Sequence, residues 1–252
     1  MYPTLINIGS IGIHTYGLFV ALGFFAGFKL LLSYAKKLDI PSLKIESLVL
    51  WIFVFSIIGA RLFYVLFSFN EFKDNFWNIF KLWQGGLFFS GGLVGGIIAA
   101  VIFIPKNKMP FAKLTDVLAL ALTLGQAIGR IGCFFAGCCY GKQCDSWFGV
   151  KFPENSLAPS GIKLIPSQII SSLLLFLIFA VLSYFYKRKK NDGQIVALYL
   201  VLYSVKRFFV EYLRGDFRGN ELFGLTPTQI ISSVMLITGV YLWKKLLQKK
   251  TM

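Results

Sequence analysis

Charged side chains are scarce in this sequence, and acidic ones especially so. Only 15% of the 252 residues are charged, and 26 Lys and Arg stand against 11 Asp and Glu. Hydrophobic residues make up 56% of the chain and aromatic residues 17%. A soluble domain carries more charge than this on its surface. The composition therefore excludes an ordinary soluble protein and predicts a membrane protein.

Histidine is represented by His14 alone, and the sequence shows no internal repeat and no low-complexity tract. Without repeats, the pattern gives no support to a transporter built from inverted halves. The basic residues are scattered over loops and form no stacking platform, so nucleic acid is not an expected partner.

Long apolar runs are what the sequence does have, and about seven of them reach the roughly 20 residues that a spanning helix needs. They lie near 13–34, 45–68, 86–104, 112–134, 167–186, 193–213 and 227–244. We predict an all-α integral membrane protein with about seven transmembrane helices in a single domain, 1–252. Because no basic leader precedes the first run, no cleavable signal peptide is expected.

Lysine and arginine are divided unequally between alternate loops. The loops on the side of the C-terminus carry about twice as many as the longer loops on the other side, which places the C-terminus in the cytoplasm and the N-terminus outside. Residues 70–84 mix aromatic residues and lysine at helical spacing, which predicts an amphipathic segment in the outer interface. Residues 137–166 are rich in Gly, Pro and Ser and predict a long extracytoplasmic loop.

Several charged residues lie inside the apolar runs, where each costs on the order of 3 kcal/mol to insert. They are Arg61, Arg130, Lys206, Arg207 and Glu211. Tyr203, Arg207 and Glu211 recur every four residues and so share one face of a helix. An Arg207–Glu211 ion pair that merely neutralises itself is one interpretation. Arg130 on another helix adds a positive charge that one glutamate does not balance, which predicts a bound anion.

Arginine suits a phosphate anion because its planar fork binds two oxygens and stays charged. Glycines crowd the segment QGGLFFSGGLVGG, residues 84–96, near the outer end of the third run. Close helix packing is one explanation for Gly95 and Gly96. For Gly91 and Gly92, approach of the backbone to a lipid headgroup is at least as good an explanation.

Six segments of the chain together resemble the prolipoprotein diacylglyceryl transferase family over essentially the whole length: HTYGL, GARLFYVLF, WQGGLFFSGGLVGG, GRIGCFFAGCCYG, IPSQ and RFFVEYLR. The resemblance implies a multi-pass enzyme of the bacterial cytoplasmic (inner) membrane. It would transfer an sn-1,2-diacylglyceryl group from phosphatidylglycerol to the lipobox cysteine of a prolipoprotein and release glycerol phosphate. The implied partners are phosphatidylglycerol, prolipoprotein signal peptides and membrane lipid, and no cofactor is implied.

The resemblance also implies roles for single residues. The catalytic set would be Tyr16, Arg130, Arg207 and Glu211, with the two arginines on the phosphodiester and Glu211 orienting Arg207. The substrate-binding residues, predicted from the family segments or from their depth in the membrane, are Arg61, Ser90, Gly91, Gly92, Gly129, Gly132, Cys133, Cys138, Gly141 and Tyr203.

Four positions depart from the commonest family pattern, in which two asparagines, a glutamate and a histidine stand where this chain has Cys133, Ala136, Cys138 and Ser90. If that histidine deprotonates the incoming thiol, whose unperturbed pKa is about 8.5, another base must replace it. The candidates are Tyr16, Glu211 and a Cys138 thiolate whose pKa is lowered by Arg130.

The four cysteines, Cys133, Cys138, Cys139 and Cys144, lie within a dozen residues. Their C-x4-C-C-x4-C spacing fits poorly with the C-x2-C pairs that structural zinc prefers, so no metal is expected. A disulfide of Cys144 with Cys138 or Cys139 is one alternative in an oxidising compartment. Small side chains packed against the arginine are the other.

Two further functions stay open. A paralogue of the same fold would move the lipid group to a different acceptor, which Ser90 and Cys138 allow. A transporter of an anionic solute would use the intramembrane arginines as a binding ring. That transporter would be expected to show helices interrupted at the midplane in both halves.

Overall fold

The computed structural model describes residues 4–8, 11–73, 76–81, 85–216 and 224–248. Its seven α-helices are α1 Thr15–Lys36, α2 Ser42–Phe67, α3 Phe89–Lys106, α4 Phe111–Ala136, α5 Ser167–Tyr186, α6 Gln194–Tyr212 and α7 Pro227–Gln248. Within the described ranges, five of them (α1, α2, α4, α5 and α7) are long and apolar enough to cross a membrane, and α3 is apolar but shorter. The predicted all-α membrane architecture is confirmed, whereas the number of seven spanning helices and their orientation stay predictions.

Short strands, which the sequence analysis does not predict, flank the helices. They form two antiparallel pairs, β1 Thr4–Ile8 with β2 Ile11–His14, and β3 Val150–Lys151 with β4 Lys163–Leu164. The predicted amphipathic segment contains two short 3-10 helices, Phe69–Phe72 and Phe76–Phe80. Its residues 74–75 and 82–84 lie outside the described residues, and its place in an interface stays a prediction.

The chain divides into two compact units, one of residues 32–114 and one of residues 1–31 with 115–252. In the unit of residues 32–114, glycines let α2 and α3 approach closely, since a Cβ on Gly91 would collide with the carbonyl oxygen of Gly59. The expectation of a single domain over 1–252 stays a prediction.

In the other unit, α1 packs on α4 through small residues. A Cβ on Gly23 would lie 2.6 Å from the carbonyl oxygen of Gly125. Nearer the end of α4, a Cβ on Gly132 would lie 3.2 Å from the carbonyl oxygen of Tyr16. This glycine contact holds the first turn of α1 against the last turns of α4.

The predicted loop over 137–166 connects α4 to α5 and is tied to the end of α6. The backbone N–H of Gly141 donates to Ile165 O and that of Lys142 to Leu213 O, both at 2.9 Å. The loop has a small core of its own, formed by Phe152, Ala158 and Leu164. Its hydrogen bonds therefore fix the turn after α4 relative to the C-terminus of α6. Its extracytoplasmic position stays a prediction.

The N-terminus of α6 is held by the fully buried carboxylate of Asp116 on α4. Asp116 accepts hydrogen bonds from Lys189 Nζ at 2.7 Å and from the backbone N–H groups of Gly193, Ile195 and Val196 at 2.9 to 3.0 Å. A carboxylate at this place satisfies N–H groups that have no partner within the helix and opposes the positive end of the helix dipole. The sequence analysis missed this residue.

Candidate functional site

Charged and thiol side chains gather where the start of α1, the ends of α4 and α6 and the turn at 137–139 come together, in the unit of residues 1–31 and 115–252. The basic residues at this place are Arg130, Lys206, Arg207 and Arg214, and the carboxylates are Glu211 and Asp216. We call these six residues the charged cluster. Tyr16, Tyr203, Cys133 and Cys138, all predicted site residues, lie beside it.

Arg207 and Glu211 form the ion pair that their spacing predicts. Arg207 Nη1 lies 3.3 Å from Glu211 Oε2, and the Glu211 side chain is 2% exposed. The hydroxyl of Thr226 donates to the other carboxylate oxygen at 3.1 Å. Glu211 therefore orients Arg207 from one side while it is itself held by the start of α7, a contact that the sequence analysis missed.

Arg214 and Asp216 form a second pair, which the sequence analysis also missed. Arg214 Nε and Nη2 donate to the two oxygens of Asp216 at 2.9 and 2.6 Å. Burial raises the pKa of Asp216, and Arg214 opposes that rise. This bidentate pair neutralises the positive charge of Arg214 within the protein.

Two cations of the charged cluster, Arg130 and Lys206, have no carboxylate in ion-pair contact within the described ranges. Lys206 is 7% exposed, and its Nζ lies 5.3 Å from the centre of the Tyr203 ring. Arg130, Arg207 and Arg214 all act on Lys206 electrostatically. Buried charge is costly unless an opposite charge accompanies it, so the cluster fits a bound anion.

The predicted glycines near Arg130 differ in what surrounds them. Apart from the neighbouring backbone of α4 itself, no heavy atom of the described residues lies within 4 Å of where a Cβ on Gly129 would stand, so there is open space on that side. A Cβ on Gly132 would lie 2.9 Å from Phe19 Cβ, and one on Gly141 would lie 2.6 Å from Ile165 Cβ. Gly129 thus leaves room for a ligand, whereas the contacts of Gly132 and Gly141 are packing contacts.

Tyr16 lies on the first turn of α1 and is 45% exposed. Arg130 and the thiols of Cys133, Cys138 and Cys139 all act on it electrostatically, which places its phenol beside the cluster. The close packing at Gly132 explains this position, because it brings the α1 backbone onto α4. The structure therefore brings Tyr16 and Arg130 together, as the sequence analysis expects of a shared site.

The turn after α4 is held by the start of α5. Ser167 Oγ donates to Cys139 O at 2.7 Å, and Gln168 Nε2 donates to Cys138 O at 2.9 Å. Cys139 adopts a left-handed backbone conformation with φ 61°. The segment IPSQ, which the sequence analysis uses only as a family marker, thus supports the turn that carries two thiols.

The sulfur atoms of Cys133, Cys138 and Cys139, which we call the thiol cluster, lie within 4.8 Å of one another. All four cysteines are free thiols, so the structure contains neither disulfide considered for Cys144. Hydrogen bonds with the other two thiols lower the pKa of Cys139, and Arg214 and Arg130 act in the same direction.

The predicted lowering of the Cys138 pKa is wrong. Hydrogen bonds with Cys133 and Cys139 raise the pKa of Cys138, and burial adds to the rise. Cys138 is accordingly a poor candidate for the base.

Arg61, also predicted to bind substrate, lies in the unit of residues 32–114 and is 8% exposed. Its guanidinium donates five hydrogen bonds to backbone carbonyls, those of Asn78, Ile79, Lys81, Gly85 and Gly86. It also faces the rings of Tyr64 and Phe72 at 5.6 and 5.4 Å. An arginine side chain has five N–H donors, so this geometry opposes the predicted substrate contact.

Ser90, Gly91 and Gly92, which the sequence analysis predicts to bind substrate, lie on the first turn of α3, and the two glycines pack against α2. Gly91 packs against Gly59 and Phe63 of α2, and a Cβ on Gly92 would lie 3.2 Å from Ser56 O. Ser90 is exposed. Helix packing accounts for both glycines, and a headgroup contact at Ser90, Gly91 and Gly92 stays a prediction.

The sequence of this chain matches a known protein family and several of its members. A family model described as prolipoprotein diacylglyceryl transferase matches residues 3–244. The phosphatidylglycerol–prolipoprotein diacylglyceryl transferase of Clostridium tetani is 34% identical over 96% of this chain and 97% of its own length. The protein of the same name from Finegoldia magna is 34% identical, and the transferase 2 of Clostridium perfringens 33%, each over 94% of this chain and 92% of its own. This chain, a multi-pass membrane protein, therefore belongs to the prolipoprotein diacylglyceryl transferase family.

Proposed function

We propose that this protein transfers the sn-1,2-diacylglyceryl group of phosphatidylglycerol to the lipobox cysteine of bacterial prolipoproteins. The observation that carries the proposal is the pair of basic side chains without a carboxylate partner in the described residues, Arg130 and Lys206, beside the oriented Arg207. A phosphodiester supplies the missing negative charge and two oxygens that a guanidinium binds together. The open side of α4 at Gly129 gives such a ligand room.

In the proposed reaction, the cysteine sulfur of the prolipoprotein attacks the glyceryl carbon that bears the phosphate ester. The C–S bond forms as the C–O bond breaks, and the electron pair stays on the oxygen of the departing glycerol phosphate. Arg130 and Arg207 would stabilise the charge that develops there. The thiol proton passes to a base, for which Tyr16 and Glu211 are the candidates.

The orientation that the charge distribution predicts supports the same reaction. With the N-terminus outside and the C-terminus in the cytoplasm, the start of α1 and the ends of α4 and α6 lie toward the outer face of the cytoplasmic membrane. Phosphatidylglycerol headgroups and the signal peptides of exported prolipoproteins meet at that face. The membrane would hold both substrates near the cluster and so lower the entropic cost of their encounter.

The proposal is tested by incubating the purified protein with phosphatidylglycerol and a lipobox peptide. The mass of the peptide is then measured by mass spectrometry. We expect a diacylglyceryl adduct on the peptide cysteine. Arg130→Ala should lower its rate of formation by about 10³-fold without loss of folding, whereas Arg188→Ala, at an exposed position, should not. A folded protein that forms no adduct while the Clostridium tetani relative does would overturn the proposal and favour a different acceptor.

A further inference from the structure

We propose that Cys133, Cys138 and Cys139 form a binding site for one thiophilic d10 cation of the class of Zn²⁺ and Cd²⁺. Their sulfur atoms already lie within 4.8 Å of one another. With a Zn–S bond of about 2.3 Å, the sulfurs of a three-thiolate site stand about 3.8 to 4.0 Å apart. Small side-chain rotations would therefore close the three sulfurs around an ion.

The backbone explains why the sequence spacing hides this site. Cys133 lies on the last turn of α4, whereas Cys138 and Cys139 lie on the turn that follows it. Gly137 and Cys139 both have positive φ, 74° and 61°, so the chain reverses sharply after the helix. The Cys138 thiol consequently lies 3.7 Å from Cys133 O.

The turn is also held in place before any ion binds. Ser167 and Gln168 of α5 donate hydrogen bonds to the carbonyl oxygens of Cys139 and Cys138. A site whose backbone is already fixed loses little conformational entropy when its ligand arrives. The thiol cluster therefore resembles a preorganised site more than three cysteines that meet by chance.

The chemistry of the donors selects the kind of ion. Thiolates favour soft cations, whereas Mg²⁺ and Ca²⁺ require oxygen ligands, and the thiol cluster offers three sulfurs. The three thiols release their protons to solvent when the ion binds, and a divalent cation bound by three thiolates forms a complex with a net charge of −1. Arg130 lies next to this position and acts on Cys133 and Cys139 electrostatically, so a negatively charged metal–thiolate complex has a favourable neighbour.

This inference goes beyond the proposed function, because metal binding is measured without the transferase reaction. It also carries a consequence for that reaction. A negatively charged metal–thiolate complex would compete with the phosphodiester for Arg130, so bound metal should inhibit transfer.

The test is a titration of the reduced, full-length protein in detergent with Cd²⁺, followed by the ultraviolet absorption of sulfur-to-cadmium charge transfer. We expect one equivalent of Cd²⁺ to bind. Cys133→Ser, Cys138→Ser and Cys139→Ser should each weaken binding by about 100-fold or more, since loss of an outer-sphere partner alone costs about 10- to 100-fold. Cys144→Ser is the matched control and should bind as the parent protein does, because Cys144 lies outside the thiol cluster.

X-ray absorption at the cadmium edge provides a second measurement that needs no variant. Three sulfur neighbours would support the site, and a shell of oxygen and nitrogen neighbours only would overturn it. Binding that Cys144→Ser abolishes, or that the three cluster variants leave unchanged, would overturn it as well. Because these readouts are independent of lipid transfer, a protein that binds Cd²⁺ but forms no lipid adduct would refute the proposed function alone.

Discussion

The two ends of α6 accommodate buried charge in opposite ways. At the N-terminal end, Asp116 accepts four hydrogen bonds and pairs with Lys189, so its charge and its oxygens are used within the protein. Toward the C-terminal end, the buried Lys206 of α6 and the half-buried Arg130 of α4 have no carboxylate partner in the described part of the chain. Burial alone therefore does not distinguish a functional charge from a structural one. What distinguishes them is whether partners within the protein satisfy the charged group.

Arg61 extends the comparison to the other unit. It is as buried as Lys206, at 8% against 7% exposed, yet five backbone carbonyls satisfy it. Substitution of Asp116 or Arg61, whose partners lie within the protein, should lower stability. Substitution of Lys206, which has no carboxylate partner in the described residues, should change the KM for the substrate. Three substitutions test this distinction.

Asp116→Asn should have the largest effect on stability. Burial opposes the charge of Lys189, but the hydrogen bond and attraction of Asp116 raise its pKa, so the pair is stabilising on balance. Loss of the carboxylate should lower the free energy of unfolding by about 3 to 5 kcal/mol, measured by thermal melting in detergent. Asp192→Asn is the control, because Asp192 contacts the same lysine from a position that is 39% exposed. Unchanged melting with lost transfer activity would contradict the structural role of Asp116.

Arg61→Lys should have an intermediate effect. Lysine cannot reproduce the planar fork that reaches several carbonyls at once, and the loss should cost about 2 kcal/mol of stability. The KM for phosphatidylglycerol should stay the same in kinetic assays of the folded variant. A KM raised by about 10-fold with unchanged melting would instead restore the predicted substrate contact.

Lys206→Met should have the smallest effect, and in the opposite direction. Removing a buried basic group on which three arginines act electrostatically should raise stability by about 1 kcal/mol. The KM for phosphatidylglycerol should rise, because the proposed anion loses one of its cations. Lys245→Met, at an exposed position on α7, is the control for loss of positive charge. Lower stability with unchanged KM would show that Lys206 belongs to the protein's own framework.

The sequence predicts the helices and four of the six residues of the charged cluster, because an apolar run and a charge inside it are both visible locally. An apolar run of sufficient length forms a helix in a membrane, and four-residue spacing brings Arg207 onto Glu211. The tight contact at Gly132 then places Tyr16 near Arg130, as the shared family segments suggest. The helices and the Arg207–Glu211 pair need no knowledge of how distant parts of the chain meet, whereas the proximity of Tyr16 and Arg130 is expected only from the family resemblance.

The missed features depend on distant backbone. The partners of Asp116 lie 73 to 80 residues away, and three of the four are main-chain groups that leave no mark in a sequence. The backbone carbonyls that bind Arg61 also leave no mark in the sequence. A sequence therefore does not distinguish an arginine that is satisfied by the protein from one that is available to a substrate. The thiol cluster arises from the left-handed backbone conformation of Cys139. Cysteine is not a residue type that signals such a conformation in a sequence.

The glycine contact between α1 and α4 also bears on lipid traffic. A two-tailed lipid that reaches a buried headgroup site has to slide in sideways between helices, with its acyl chains still in the bilayer. A Cβ on Gly23 would lie 2.6 Å from the Gly125 carbonyl oxygen, and one on Gly27 would lie 2.9 Å from that of Ala121. Backbone meets backbone along this line, which leaves no gap for a hydrocarbon tail. The α1–α4 boundary is therefore closed along this line, and in the proposed reaction a lipid would not reach the charged cluster through it.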